Sequence, residues 1–326
     1  MKQYRLFTGI LCAVVLSLGF IPSLALAATT KPASITGTEA ITKLITGLQS
    51  LTAADFEYKT IFFAQEPGKK KGAIVSSVVS QGTAQFASTT PPSIETSASA
   101  TYVAGDETES VITDADFIKK GAYVYVRFPK TDVREVRNRW IKIPLAEYES
   151  FGEQAGLAGM FDLVEINTQQ NDLKRTELFR ALTAQNNLFV EYKKPTSKKK
   201  KGSEVITYYF EYNRDTVGAF FKSYLSTLSA EEKEASIFSV DGFEKGLSDS
   251  DFLDQLVENS YFVVSIDAKT GYPTEMIRFD VIPPYAWRDE SITIVTDLLW
   301  KARSKKTTIS EPTEYMSSAE ALKFVK

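Results

Sequence analysis

The groups in this sequence that could do chemistry are carboxylates. Asp267 and Glu275 flank the turn of "SIDAKTGYPTEMIRFDV", and Asp241, Asp249, Asp251 and Asp254 crowd "DGFEKGLSDSDFLDQ". Two carboxylates can serve a glycosidase as acid and base, and a run of aspartates raises the question of calcium. Each has a plainer reading. The hairpin pair is expected to face solvent. The aspartate run lacks the EF-hand ligand spacing and its terminal glutamate, and acids gather at helix starts because the helix dipole favours them there. The chain has no histidine, and its one cysteine is Cys12. That removes Ser-His-Asp and Cys-His catalysis, the usual zinc sites and the common neutral-pH base. The expectation is a binding protein, not an enzyme, with no catalytic residue, no metal and no cofactor.

The first 27 residues read as a secretory signal peptide. Lys2 and Arg5 precede an apolar run from Thr8 to Leu24, and Ala25 and Ala27 place small residues before a cleavage point at Ala28. The other reading is a retained membrane anchor, for which the run is short. Leu11 before Cys12 argues against lipidation there. The expected product is exported, periplasmic or extracellular, and soluble after cleavage. It must be stable without disulfides, so it needs a substantial core. The net charge of −3 gives no general pull toward nucleic acid.

Two lysine clusters stand out, Lys69–Lys71 and Lys193–Lys201. The second lies in "KKPTSKKKKG", expected to be a loop between two strands. One reading is transient docking on an anionic membrane surface. The other is a solvated hairpin tip, where lysine discourages edge pairing.

Residues 28–37 look like a flexible leader, and residues 38–326 like one domain with helical insertions at about 145–185 and 214–258. Ile41, Leu44, Ile45 and Leu48 recur at helical spacing. Strands are expected at Phe56 to Phe63, in "AIVSSVVSQGTAQFAS" and "IETSASATYV", at Tyr123 to Phe128 after a Lys-Gly turn, and in "RWIKIP". Further strands are "NLFVEYKKP", "SEVITYYFEYN", the late hairpin with Gly271 at its turn, and "SITIVTDLLW". Val217, Phe220, Phe221, Tyr224 and Leu228 form a helical stripe, and Ser248 or Asp249 caps a further helix. Short turns between neighbouring strands imply antiparallel pairing.

In order, four features carry a resemblance. They are the leader followed by "AITKLITGLQSLTAADFEYKTIF", "GAYVYVRFP" with "RWIKIP" after it, "SIDAKTGYPTEMIRFDV", and a last strand leading to "ISEPTEY". This arrangement resembles the LolA-like lipoprotein-carrier superfamily, which includes LolA and LolB, the LppX/LprG group and RseB-type sensors. The resemblance implies an α+β fold: an incomplete, curved antiparallel β-barrel (a half-barrel) with helices covering its concave face. It implies a lipid or other hydrophobic ligand held between sheet and helices, and a lipid or lipidated protein as partner. The alternative of the same fold is an envelope sensor or protein-interaction module without a transport role.

An acyl chain gains about 0.8 kcal/mol per buried CH₂, so such a site needs apolar walls. The candidates are Phe62, Val126, Phe128, Trp140, Phe179, Tyr208, Phe210, Phe220, Phe262, Ile277, Phe279 and Ile292, with Leu44, Val124, Phe221 and Val264 beside them. Any one of them is equally at home as core packing.

Overall fold

The computed structural model describes residues 52–68, 73–87, 93–105, 110–155, 188–200, 203–226, 240–285, 289–303 and 308–324. The expected leader, leader helix and Phe179 lie outside the described residues, as do Leu44 and Leu228. The elements are β1 (Ala53–Gln65), β2 (Ala73–Ala87), β3 (Ser93–Gly105), β4 (Ser110–Lys120), β5 (Tyr123–Arg127), β6 (Trp140–Pro144) and α1 (Tyr148–Gln154). Then come β7 (Phe189–Lys200), β8 (Ser203–Tyr212), α2 (Val217–Leu225), α3 (Val240–Gly246), α4 (Ser250–Asn259), β9 (Tyr261–Asp267), β10 (Pro273–Ile282), β11 (Ser291–Ala302), β12 (Met316–Ser317) and α5 (Ser318–Ala321).

All twelve strands form one open sheet in the order β12-β6-β5-β4-β3-β2-β1-β11-β10-β9-β8-β7. Strand β1 pairs with both β2 and β11, so the early strands spread to one side of it and the late strands to the other. Every pairing is antiparallel except the short β12–β6 contact. The two ends, β12 and β7, do not meet, so the sheet is not closed into a barrel.

Local rules account for the main elements. In β8, Ile206, Tyr208, Phe210 and Tyr212 alternate with more exposed neighbours, the period-2 pattern of a strand with one covered face. The β9–β10 turn needs positive φ, and Gly271 supplies it at 73°. Asp267 also shapes that turn: its carboxylate accepts from the Lys269 and Thr270 amides. In α4, Asp249 accepts from the amides of Asp251 and Phe252, capping the helix start. Its Phe252, Leu253 and Leu256 form the buried stripe.

One expectation needs correction, and one strand was not read. "TSKKK" is not loop: β7 runs on through Lys200 and pairs with β8 as far as Lys200–Ser203. It does so because bulges after Glu191 and Lys193 absorb Pro195, which has no amide hydrogen to donate. The stretch before the Lys-Gly turn, unassigned from the sequence, is a strand, β4. Its acids Asp114 and Asp116 look like loop residues, but they point away from the core. There Thr101, Lys130, Ser99 and Arg127 pair with them.

The sheet has one core face, and its buried side chains form two separate clusters. The larger gathers β1, β2 and β7–β11 with α2, α3 and α4. The smaller gathers β3–β6 and β12 with α1 and α5. The boundary falls between β2 and β3.

Candidate functional site

Six of the expected site residues reach the larger cluster: Phe62, Tyr208, Phe210, Phe220, Phe262 and Ile292. Val264 joins them, and Phe221 packs against the cluster. Val126 and Phe128 lie in the smaller cluster beside Val124. The sequence reading therefore brings together parts of two walls, on the two sides of the β2–β3 boundary.

Three expected residues lie on the opposite face. The buried positions of β10 are Met276, Arg278, Asp280 and Ile282, so Ile277 and Phe279 point the other way, half-buried. Their register confirms it: Met276 sits across from Val264 and Arg278 across from Phe262, both core residues. Trp140 likewise faces away, since its neighbours Ile141 and Ile143 supply the buried side of β6. Its ring lies 4.8 Å from the Arg127 guanidinium on the outer face. In β10 the hydrophobic pattern alone favours Ile277, Phe279 and Val281 as the inner set, and the structure inverts it.

That inversion places a polar triad that the sequence reading missed. Inside the large cluster, Tyr212 Oη donates to Asp280 Oδ1 at 2.6 Å and accepts from Arg278 Nη2 at 2.6 Å. Arg278 Nε lies 2.7 Å from Asp280 Oδ2, and both side chains are 7% exposed. Burial pushes the Tyr212 phenol well above its ordinary 10.0, with Asp280 adding to the rise, so it stays protonated and donating. Burial opposes the charge on Arg278, but Asp280 beside it more than restores it. Phe189 stacks on Tyr212 at 5.3 Å, and Phe221 meets its edge at 5.8 Å. The only sequence signal for this triad is the pair Arg278 and Asp280 at strand period two, with a tyrosine ending β8.

Between the two clusters the core face changes character. Strands β2, β3 and β4 present Ser80, Gly82, Ala84, Ala98, Ala100 and Ala115 there. On the β1 and β11 side, Phe56 and Trp300 are half-buried at the cluster's margin. Gly82 sits where β2 and β3 approach most closely: a Cβ added to it would fall 2.3 Å from the Ser97 carbonyl oxygen. The side chains of this band are smaller than the Phe and Tyr on either side. Lys119, 3% exposed, lies on the same face of β4, in register with Thr96 and Val124.

A second concavity lies on the other face. It is a cleft of about 580 Å³ along two cross-strand rows, Lys301–Asp55–Thr83–Ser97 and Leu299–Glu57–Gln81–Ser99–Asp116–Arg127–Trp140. Its charges are largely matched from within. Arg127 binds Asp116 at 2.6 Å, and Asp55 is held by Arg303 at 2.8 Å and Thr83 at 2.9 Å. An apolar guest would have to strip water from these groups, which is costly.

The carboxylates raised as acid–base candidates are engaged in local structure. Asp267 accepts from the Ser203 hydroxyl as well as from its own turn, and Glu275 accepts from Ser265 at 3.2 Å. Burial raises the Asp267 carboxyl, but the Ser203, Thr270 and Lys269 donors outweigh it and hold it below the usual 3.8. Of the aspartate run, Asp249 is the helix cap and Asp254 pairs with Arg214. Among the described residues there is no group of three or more metal-ligating side chains and no helix long and apolar enough to cross a membrane.

No family model matches the sequence, and no curated protein matches it. Among solved structures, the chain is similar to the lipoprotein LppX of Mycobacterium tuberculosis, at 8% identity and a TM-score of 0.32 over 84% of this chain and 97% of that one. It is similar to LprF of Mycobacterium bovis, at 10% identity and a TM-score of 0.31 over 85% and 98%. It also matches a β-barrel-like protein of unknown function from Brucella abortus, at 10% identity and a TM-score of 0.16 over 75% and 98%. At these TM-scores the likeness gives no residue-level correspondence.

Proposed function

We propose that the protein binds a lipid or other hydrophobic ligand in the space between the core face of its curved sheet and the helices above it, as an exported carrier with a half-barrel fold. The observation that supports this is the band of Gly, Ala and Ser on β2–β4, lying between two aromatic and aliphatic clusters that do not merge. A sheet that filled its own interior would place large side chains at its centre, because protein cores are packed to crystal-like density. Here the large side chains stand at both sides and the small ones lie between, the profile of a trough. Phe56 and Phe117 stand at the two ends of one cross-strand row, Phe56–Gly82–Ala98–Phe117. An acyl chain laid along the trough gains about 0.8 kcal/mol per buried methylene. The role is binding and release, and it needs no catalytic residue.

The test is mass spectrometry of lipid released on denaturing protein that was purified without detergent. Co-purifying acyl lipid is expected. Filling the trough should displace it: Ser80→Phe and Ala98→Phe add bulk at two half-buried floor positions. Lipid content unchanged in both variants, with both folded, would count against the trough as the site.

A further inference from the structure

The face of the sheet opposite the helices carries a second feature that the ligand reading does not use. Strand β10 turns Arg278 and Asp280 inward and leaves Glu275, Ile277, Phe279 and Val281 on the outside. The neighbouring strands continue that surface. Tyr261, Phe279, Val295 and Ile61 stand side by side across β9, β10, β11 and β1. Phe279 stacks on Tyr261 at 5.1 Å with the rings 5° from parallel. Toward the sheet edge, Tyr192 meets Tyr209 edge-on at 6.2 Å. Tyr192 is 45% exposed and Tyr261 38%. All five described helices put their buried side chains into the two clusters on the other face.

The edge of this surface is basic. Lys193, Lys194, Lys198 and Lys199 lie exposed along β7, and Lys193 Nζ sits 4.5 Å from the Tyr209 ring centroid. None of the four makes an ion pair among the described residues; Glu211 stands beside Tyr261, and Asp297 stands across from Ile277 on the same face. A water-facing sheet of this size would ordinarily show the reverse pattern on β10, with Arg278 and Asp280 outside. Contiguous apolar surface left uncovered marks a contact surface.

We propose that this outer face docks on an anionic lipid bilayer. The lysines of β7 lie over the headgroups, and Tyr192, Tyr261 and Phe279 sit at the boundary with the acyl region. Tyrosine suits that boundary because its ring is apolar and its hydroxyl is wet, and lysine near an anionic leaflet adds attraction that salt screens. The exposed lysines are placed at one edge, and the row from Tyr261 to Ile61 is apolar; beside it, burial and Glu275 raise the Asp297 carboxyl and so favour its neutral form. A nucleic acid would need basic groups spread over the face to meet its phosphates. A second copy paired edge to edge would bring two lysine rows together. The docking is independent of the trough, since a protein with a solid interior could bind a bilayer in the same way.

Flotation of the purified full chain with vesicles tests it. Binding is expected to phosphatidylcholine–phosphatidylglycerol vesicles, weaker at high salt, and at least about tenfold weaker to phosphatidylcholine alone. Reversing Lys193, Lys194, Lys198 and Lys199 to Glu should lower the affinity by about a hundredfold or more. Ile277→Ser with Phe279→Ser should lower it about tenfold while leaving the charge intact. Lipid content measured on vesicle-free protein should be unchanged in the lysine variant, so docking and ligand binding can fail separately. Failure to float, equal flotation with both vesicle types, or wild-type flotation of both variants would overturn the proposal. So would capture of an acidic polypeptide without vesicle binding.

Discussion

Between β4 and β6 the sheet buries Val124, Val126, Ile141, Ile143 and Phe117 beside one lysine, Lys119, and turns its acids outward, whereas between β8 and β10 it buries Tyr212, Arg278 and Asp280 among aromatic rings and turns Phe279 and Ile277 outward. The first half keeps Asp114 with Lys130 and Asp116 with Arg127 at its surface, at 2.8 and 2.6 Å. Lys142 also lies there, 3.9 Å from the Tyr123 ring and 4.9 Å from that of Tyr315. This is a water-facing sheet. The second half has the opposite polarity, which a sheet meeting only water has no reason to adopt. The two halves share twelve continuous strands, so the difference lies in side-chain placement and not in backbone architecture. It points to an apolar partner for the outer face of the β7–β10 half, and to a guest in the seam between the clusters.

The sharpest way to break this comparison is to remove one charge from each half. Arg278→Ala leaves the Asp280 carboxylate buried without its cation and should cost about 3–5 kcal/mol in denaturant unfolding. Arg127→Ala removes a partly exposed pair and should cost less than about 1 kcal/mol. Replacing Arg278 with Met and Asp280 with Leu together should return stability close to the wild type, because a buried ion pair contributes little net. If the single change at Arg278 costs no more than the one at Arg127, the triad is not a buried unit.

The cores should differ in the same direction. Phe210→Ala in the large cluster should cost about 3–5 kcal/mol, against about 1 kcal/mol for Ile143→Val in the small one. At the seam, Gly82→Val forces side-chain atoms against the Ser97 carbonyl and should cost about 1–3 kcal/mol. Thermal unfolding of the three variants ranks them.

The reading of the sequence reached most strands because strong alternation and turn chemistry agreed. Ile206, Tyr208, Phe210 and Tyr212 announce β8, and Gly271 announces the late hairpin. It failed where charge sat in an unexpected place. Asp114 and Asp116 hid β4, since acids read as loop unless their cross-strand partners are known. The lysines hid the second half of β7. In β10, Arg278 and Asp280 drew the inner face to the wrong residues, because the compensating hydroxyl comes from Tyr212, 66 and 68 positions away in sequence. Trp140 was misplaced although it shares its parity with Lys142, opposite Ile141 and Ile143: its large apolar ring outweighed an alternation only five residues long. The band of small residues on β2–β4 was written in the sequence as Ser, Gly and Ala, but only the register lines those residues up across three strands.

The smallest effect, acid sensitivity, is shared by the two halves. Lys130 and Thr101 hold the Asp114 carboxyl below its usual 3.8. In the other half, Ser203, Thr270 and Lys269 do the same for Asp267 against the opposing effect of burial. A carboxyl whose folded pKa is depressed stabilises the fold above its unfolded value. That contribution is lost as pH falls through the folded value. Stability should therefore decline as pH drops below about 4. Asp114→Asn and Asp267→Asn should each flatten part of that decline, and unfolding measured along a pH series reads both.

The account rests on a trough occupied by a hydrophobic guest, and lipid analysis of detergent-free protein tests it most directly. It expects acyl lipid released on denaturation from the wild-type chain and lost from Ser80→Phe. A wild-type protein that carries no lipid and takes up no acyl probe would contradict it.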